Sequence, residues 1–241
     1  LYQKIAQIVR GPSALLAGLL MSSFATARQK MVDGQVRTND VTDHRVLDAM
    51  LTVPREAYAP ADRQALAYLD LDLDVSETAG TKRFLMKPML TGKLLQAAEI
   101  KPTDSVLVVG CATGYLAALA ARLAGSVTAT EIDPALEGRA KQLLGAAEGC
   151  PVTIRVAPAV QGDPADGRFD VILLNGATEI AVDGLCRQLK DAGRLVGVFA
   201  KTRPARAMIF TRSHGDIGSR VLFDAAAPVI PGLERVPEFV F

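Results

Sequence analysis

The chain has 241 residues, 49% apolar and 22% charged, enough for one large α/β domain with an extension and for a core that needs neither disulfide nor metal staple. Lys and Arg total 27 against 26 Asp and Glu, and this balance provides none of the clustered positive charge that nucleic acid requires. Trp is absent and aromatics are 5%, which argues against a base-stacking platform. The cysteines, Cys111, Cys150 and Cys186, lie far apart and fit neither a disulfide framework nor zinc spacing. Free thiols of this kind suggest a reducing compartment.

Residues 1–23 are set apart. Lys4 and Arg10 precede ALLAGLLM, and ATA at 25–27 imitates a cleavage site, so a secretion signal must be weighed. The first residue is Leu, Met21 opens what reads as an ordinary start, and the free thiols disfavour export; an upstream extension or amphipathic helix is the preferred reading. No stretch approaches the ~20 apolar residues of a membrane span.

Residues 24–87 read as a polar, mostly helical segment. In TDHRVLDAML, Thr42 or Asp43 caps a helix that buries Val46, Leu47, Met50 and Leu51, and Pro54 and Pro60 then interrupt the chain. LDLDLDV at 69–75 alternates as a half-buried strand or extended loop. Its carboxylates, Asp70, Asp72 and Asp74, share one face with no further ligand nearby, which favours a solvated edge over a hard-metal site.

From residue 88 to 241 strands and helices alternate. Pro88 opens a helix burying Leu90, Leu94, Leu95 and Ala98. A strand follows at 105–109, then a helix at 115–124, a strand at 127–131 and a helix capped by Asp133 with Pro134 at its first position. Strands at 152–156, 170–174 and 194–199, with a helix near 179–189, continue the series. The tail, RAMIFTR and RVLFD about a His214-Gly215-Asp216 turn, signals a hairpin. The expected fold is α/β: a Rossmann-like, doubly wound, mostly parallel sheet with helices on both faces, an N-terminal helical lid over its carboxyl end and an antiparallel C-terminal edge.

VLVVGCATGY at 106–115 is the candidate binding turn. Gly110, Ala112 and Gly114 let the backbone approach a ligand above the first strand, and Glu131, ending the next strand, stands where an acid accepts from ribose hydroxyls. Dinucleotides and S-adenosylmethionine share this arrangement. The bulky Tyr115 and Leu116 after Gly114 count against a pyrophosphate on the helix N-terminus, and G-x-A-x-G favours the phosphate-free nucleoside.

RQKMVDGQVRTNDVTDHRVLDAMLTVPREAYAP at 28–60, followed by ALAYLDLDLDV, resembles the N-terminal region of the protein-L-isoaspartate O-methyltransferases. VLVVGCATGYLAALAARLA is similar to that family's motif I, TEIDPAL to its post-motif, FDVILLNGATEI to motif II and QLKDAGRLVGVF to motif III; the likeness spans about 24–241. The resemblance implies a cytosolic enzyme that uses S-adenosyl-L-methionine to methylate isoaspartyl carboxyls in damaged proteins or peptides. It implies cofactor contacts from Gly110, Cys111, Ala112, Gly114, Tyr115, Glu131, Ile132 and Asn175, and a substrate loop at Met86, Lys87 and Pro88. Three positions depart from the family pattern. Val108 stands where the motif I strand carries an acid, Pro158 where Gly-Asp-Gly places its acid, and Met86 where the substrate loop has a serine.

A carboxylate acceptor needs orientation and exclusion of water more than a base. His44 and His214 therefore read as a surface-helix residue and a turn residue, Cys111 as a small filler, and Tyr115 equally as cofactor contact or helix-start core. Three functions stay open: isoaspartyl methyl transfer, methyl transfer to another acceptor, and a non-catalytic nucleoside-binding or interaction descendant.

Overall fold

The computed structural model describes residues 23–77 and 81–236. The readings of the leading segment as signal or extension fall on residues 1–22, outside the described residues.

The core is a seven-stranded sheet of β3 (Ser105–Val109), β4 (Ser126–Glu131), β5 (Val152–Val156), β6 (Phe169–Thr178), β7 (Leu189–Phe199), β8 (Arg206–Ser213) and β9 (Asp216–Asp224). Its order is β5-β4-β3-β6-β7-β8-β9; pairs up to β6–β7 are parallel, and β7–β8 and β8–β9 are antiparallel. The chain starts this sheet at the centre, walks out to β5, and returns to the other side of β3. That reversal opens a crevice beyond the carboxyl ends of β3 and β6, where α/β sheets bind ligands.

Period-two alternation divides the strand residues between two apolar clusters. Val106, Val108, Val171, Leu173, Val196 and Val198 join one; Leu107, Val109, Ile172, Leu174, Leu195 and Phe199 join the other. The first cluster is covered by α3 (Pro88–Ala98), α4 (Tyr115–Ala121), α5 (Pro134–Gly145) and the N-terminal segment. The second is covered by α6 (Asp183–Arg187) and by Ile230 and Leu233. Both faces carry a helix, but the cover is lopsided.

The N-terminal segment holds a helix α1 over 23–31, a π turn Val32–Val36, α2 (His44–Thr52) and short 3-10 helices Arg37–Asn39, Arg55–Tyr58 and Ala61–Leu66. Asp43, not Thr42, caps α2, accepting from the Arg45 N–H at 2.8 Å. Val46, Leu47 and Met50 are buried, and Leu51 is half-buried. Arg28 ties α1 to this segment through Glu56, Tyr68 and the Leu51 carbonyl.

Five elements differ from the sequence expectations. The strand at 69–75 shrinks to β1 (Leu73–Asp74), paired antiparallel with β2 (Phe84–Leu85). The preceding carboxylates are drawn off: Asp70 accepts from the Met89 N–H at 3.2 Å and Asp72 from the Lys87 N–H at 2.9 Å. Asp70 is exposed, as a solvated edge would be, and Asp72 is half-buried; both satisfy N–H groups at the start of α3. The helix near 179–189 contracts to α6 because Glu179 and Thr178 bond instead to Leu233 and Ile180. β6 runs on to Thr178, where the ladder resumes after a bulge with Ala177 opposite Val198, and β7 begins early because Leu189 pairs with Phe169 across an exposed, polar Lys190–Ala192 stretch. Finally, α4 stops at Ala121, and Gly125 and Ser126 turn to the Asp104 carbonyl.

Candidate active site

The turn after β3 lies at the carboxyl end of the sheet. Gly110, Ala112 and Gly114 have φ of 68°, 51° and 98°, and the turn is closed by Cys111 N–H to Thr130 O at 2.8 Å and Gly114 N–H to Cys111 O at 2.9 Å. At Gly114 a Cβ would stand 2.9 Å from Leu144, so glycine is needed both for its φ and for helix α5 to approach. Asn175 on β6 donates to the Gly110 carbonyl at 2.9 Å, joining motif II to the turn across the switch point.

Glu131 ends β4 with its side chain wholly buried. One carboxylate oxygen accepts from the Ile132 N–H at 2.9 Å and the Asp133 N–H at 3.3 Å; the other accepts from the Ala112 N–H at 2.7 Å. These charge-assisted bonds hold the carboxylate beside the turn. Its remaining neighbour is Arg83, whose Nη2 lies 2.6 Å from Oε2. The same Nη2 sits 2.9 Å from the point a Gly110 Cβ would occupy, so the guanidinium lies directly over the turn.

The N-terminal segment packs on the turn's other side. Thr113 donates to the Tyr58 carbonyl at 2.8 Å, Arg139 donates to the Ala59 carbonyl at 2.7 Å, and the Tyr58 and Tyr115 rings meet edge-on at 5.5 Å. Arg55, fully buried, stacks its guanidinium 4.9 Å over the Tyr115 ring and donates to the carbonyls of Ala67 at 2.6 Å and Met86 at 2.8 Å. Burial pushes this guanidinium below its ordinary range, a pull opposed by the adjacent Tyr115.

The candidate residues thus fall into one neighbourhood with unequal access. Gly110, Cys111, Ala112, Gly114 and Tyr115 are buried, Asn175 nearly so, and Ile132 is 42% exposed. Burial drives the Cys111 thiol far above its ordinary value, as a filler's would be. Tyr115 points into the core beneath Tyr58 and Arg55. In the predicted substrate loop Met86 is buried, Lys87 is half-buried, and Pro88 takes the first turn of α3. Val108 is buried between Ala129 and Leu173 of the neighbouring strands, and Pro158 is exposed. His44 and His214 are exposed at a helix start and in the hairpin turn. Arg83 and Arg55 escaped the sequence reading. Their signal was slight: each is a cation beside apolar residues, in KRFLM and VPRE.

The family model for protein-L-isoaspartate(D-aspartate) O-methyltransferase matches residues 26–229. This chain belongs to that family. A protein-L-isoaspartate O-methyltransferase of Roseiflexus sp. (strain RS-1) is 34% identical over 221 residues, covering 89% of this chain and 99% of the relative. A solved protein-L-isoaspartate O-methyltransferase superposes with a TM-score of 0.74 at 21% identity, covering 86% of this chain and 67% of the other. A Plasmodium falciparum structure described as this methyltransferase in complex with S-adenosyl-L-homocysteine gives 0.68 at 18%, covering 87% and 98%. The Rossmann-like fold with its antiparallel edge is therefore the family's fold. Among the described residues no helix is long and apolar enough to cross a membrane.

As the side chains stand, the turn after β3 and Glu131 are covered. Arg83 takes the open edge of Glu131, and its guanidinium shares the space over Gly110 with Ile230, each 2.9 Å from the point a Cβ there would occupy.

Proposed function

We propose that the chain is an S-adenosyl-L-methionine-dependent methyltransferase that esterifies isoaspartyl carboxylates in damaged proteins or peptides, in the cytoplasm and without a nucleic-acid partner. Glu131 carries this reading: a buried carboxylate, fixed by backbone N–H groups beside the Gly110–Gly114 turn, at the switch point of the sheet. In this assignment Gly110, Cys111, Ala112, Gly114, Tyr115, Ile132 and Asn175 complete the cofactor wall. Met86, Lys87 and Pro88 face the acceptor, and residues 24–87 serve as a lid on a core of 88–241. An isoaspartyl acceptor arrives already ionised, so the protein's task is to bind it, orient it and exclude water, which is worth ~7–11 kcal/mol at best.

One observation favours a second reading, a different acceptor. Met86, at the family's serine position, is buried and presents no hydroxyl. Radiolabelled methyl transfer to paired isoaspartyl and aspartyl peptides tests both. Label on the isoaspartyl peptide alone is expected; label on neither, with the cofactor bound, would turn the search to other acceptors.

A further inference from the structure

The adenosyl site proposed above is sealed by a side chain of the chain itself. Arg83 sits in the short β1–β2 ribbon, its N–H donating to Ser76 Oγ and its carbonyl accepting from the Val75 N–H, both at 2.9 Å. From there its guanidinium reaches Glu131, in a pair whose side chains are 3% and 0% exposed. Two features distinguish it from an ordinary strut. Glu131 is already fixed by the N–H groups of Ala112, Ile132 and Asp133, so Arg83 occupies an acceptor that is built without it. Arg83 also engages poorly for a buried arginine, since its Nε has no hydrogen-bond partner. Glu131 and Ala112 are at most 1% exposed; Arg83 covers the Oε2 edge of Glu131 and shares the cover of Gly110 with Ile230, whose Cγ2 is also 2.9 Å from the point a Cβ there would occupy.

We propose that Arg83 is a gate. With its guanidinium on Glu131 the adenosyl site is closed; the ligand enters when the β1–β2 ribbon withdraws Arg83, and ribose hydroxyls then take its place as donors to Glu131. β2 runs directly into Met86, Lys87 and Pro88, so withdrawal of the ribbon also moves the acceptor loop. Opening of the cofactor site and shaping of the acceptor site are one motion.

The gate rests on the reading of the glycine turn as the adenosyl site, and the test separates the two. S-Adenosylhomocysteine is titrated by calorimetry into wild type, Arg83→Ala and Arg83→Gln. A closed form ~10- to 100-fold more populated than the open one weakens apparent affinity by that factor, so the variants should bind ~10- to 100-fold tighter. Binding no tighter than wild type would overturn the gate. Absence of binding by wild type and folded variants alike would overturn the adenosyl-site reading, and the gate with it. Should neither variant fold, stopped-flow tyrosine emission of wild type decides. With the closed form dominant, an observed rate that falls as ligand concentration rises marks a gate opening first, and a rate that rises throughout overturns a gate that limits entry.

Discussion

At the scale of single residues, the Arg83–Glu131 pair makes opposite demands on stability and binding. Breaking a buried ion pair from one side leaves an uncompensated charge, so Glu131→Ala should lower unfolding free energy by ~3–5 kcal/mol. Arg83→Met with Glu131→Gln, which removes both charges, should cost much less; urea titrations of the single and double variants measure the difference. Where the folded Glu131→Ala protein binds S-adenosylhomocysteine at all, affinity should fall by ~1–3 kcal/mol, the worth of charge-assisted bonds. Affinity unchanged by calorimetry would put the ligand elsewhere. The thiols give an independent check. Burial pushes Cys186 up to about 11 and Cys111 higher still, and raises half-buried Cys150 less. An aromatic disulfide reagent at pH 8 should therefore modify Cys150 slowly in the native protein and reach Cys111 and Cys186 after denaturation. Rapid native labelling of Cys111 would mean that the turn is open.

At the scale of elements, the segment proposed as the substrate loop is pinned from both sides. Arg55 holds the Met86 carbonyl and Asp72 the Lys87 N–H, which bracket the start of α3. Asp72→Ala removes a helix-start acceptor and should cost ~0.5–2 kcal/mol in urea unfolding. The β1–β2 ribbon carries its own acid sensitivity. Burial pushes the Asp74 carboxyl up, but its bonds to Lys82 and Ser76 outweigh this and hold it at about 2, below its ordinary 3.8. A depressed folded value means that the stabilisation is present above the unfolded value and lost as pH falls through the folded one. The melting-temperature gap between wild type and Asp74→Asn should be constant above pH 4 and close toward pH 2. A gap that persists at pH 2 would show that the charge is not what holds the ribbon.

For the whole molecule, the scaffold is the family's. In the resemblance read from the sequence, Val108, Pro158 and Met86 stand where the family pattern is polar, and two lost bonds to charged or polar cofactor groups correspond to roughly 10²- to 10⁴-fold in affinity. Wild type is accordingly expected to bind S-adenosylmethionine weakly and to turn over isoaspartyl peptides slowly. Val108→Glu, Pro158→Asp and Met86→Ser together should raise both in the radiolabel assay. They should also lower thermal stability, because Val108 lies within an apolar cluster where a carboxylate needs new donors. Brisk methylation by the unmodified chain would show that other side chains compensate.

The sequence by itself determined the parts governed by local periodicity and local capping. β3 and β5 lie where alternation and apolar runs put them, Asp133 and Pro134 start α5, and the hairpin turns at His214-Gly215-Asp216. Such signals reside within a few neighbouring residues, so no partner is needed to read them. The glycine turn and Glu131 were legible for the same reason, since fixed spacing along β3, α4 and β4 brings them together. What only the tertiary structure decided depends on contacts between distant segments. β6 and β7 lengthened because pairing extended them past their apolar stretches, and α6 shortened because residues 228–233 claimed its first turn. Asp70 and Asp72 left the strand pattern to serve an N-terminus that lies later in the chain. Above all, no spacing rule connects Arg83 to Glu131. They meet because the β1–β2 ribbon is folded over the carboxyl end of the sheet, and a buried carboxylate attracts whichever cation the fold delivers to its open edge.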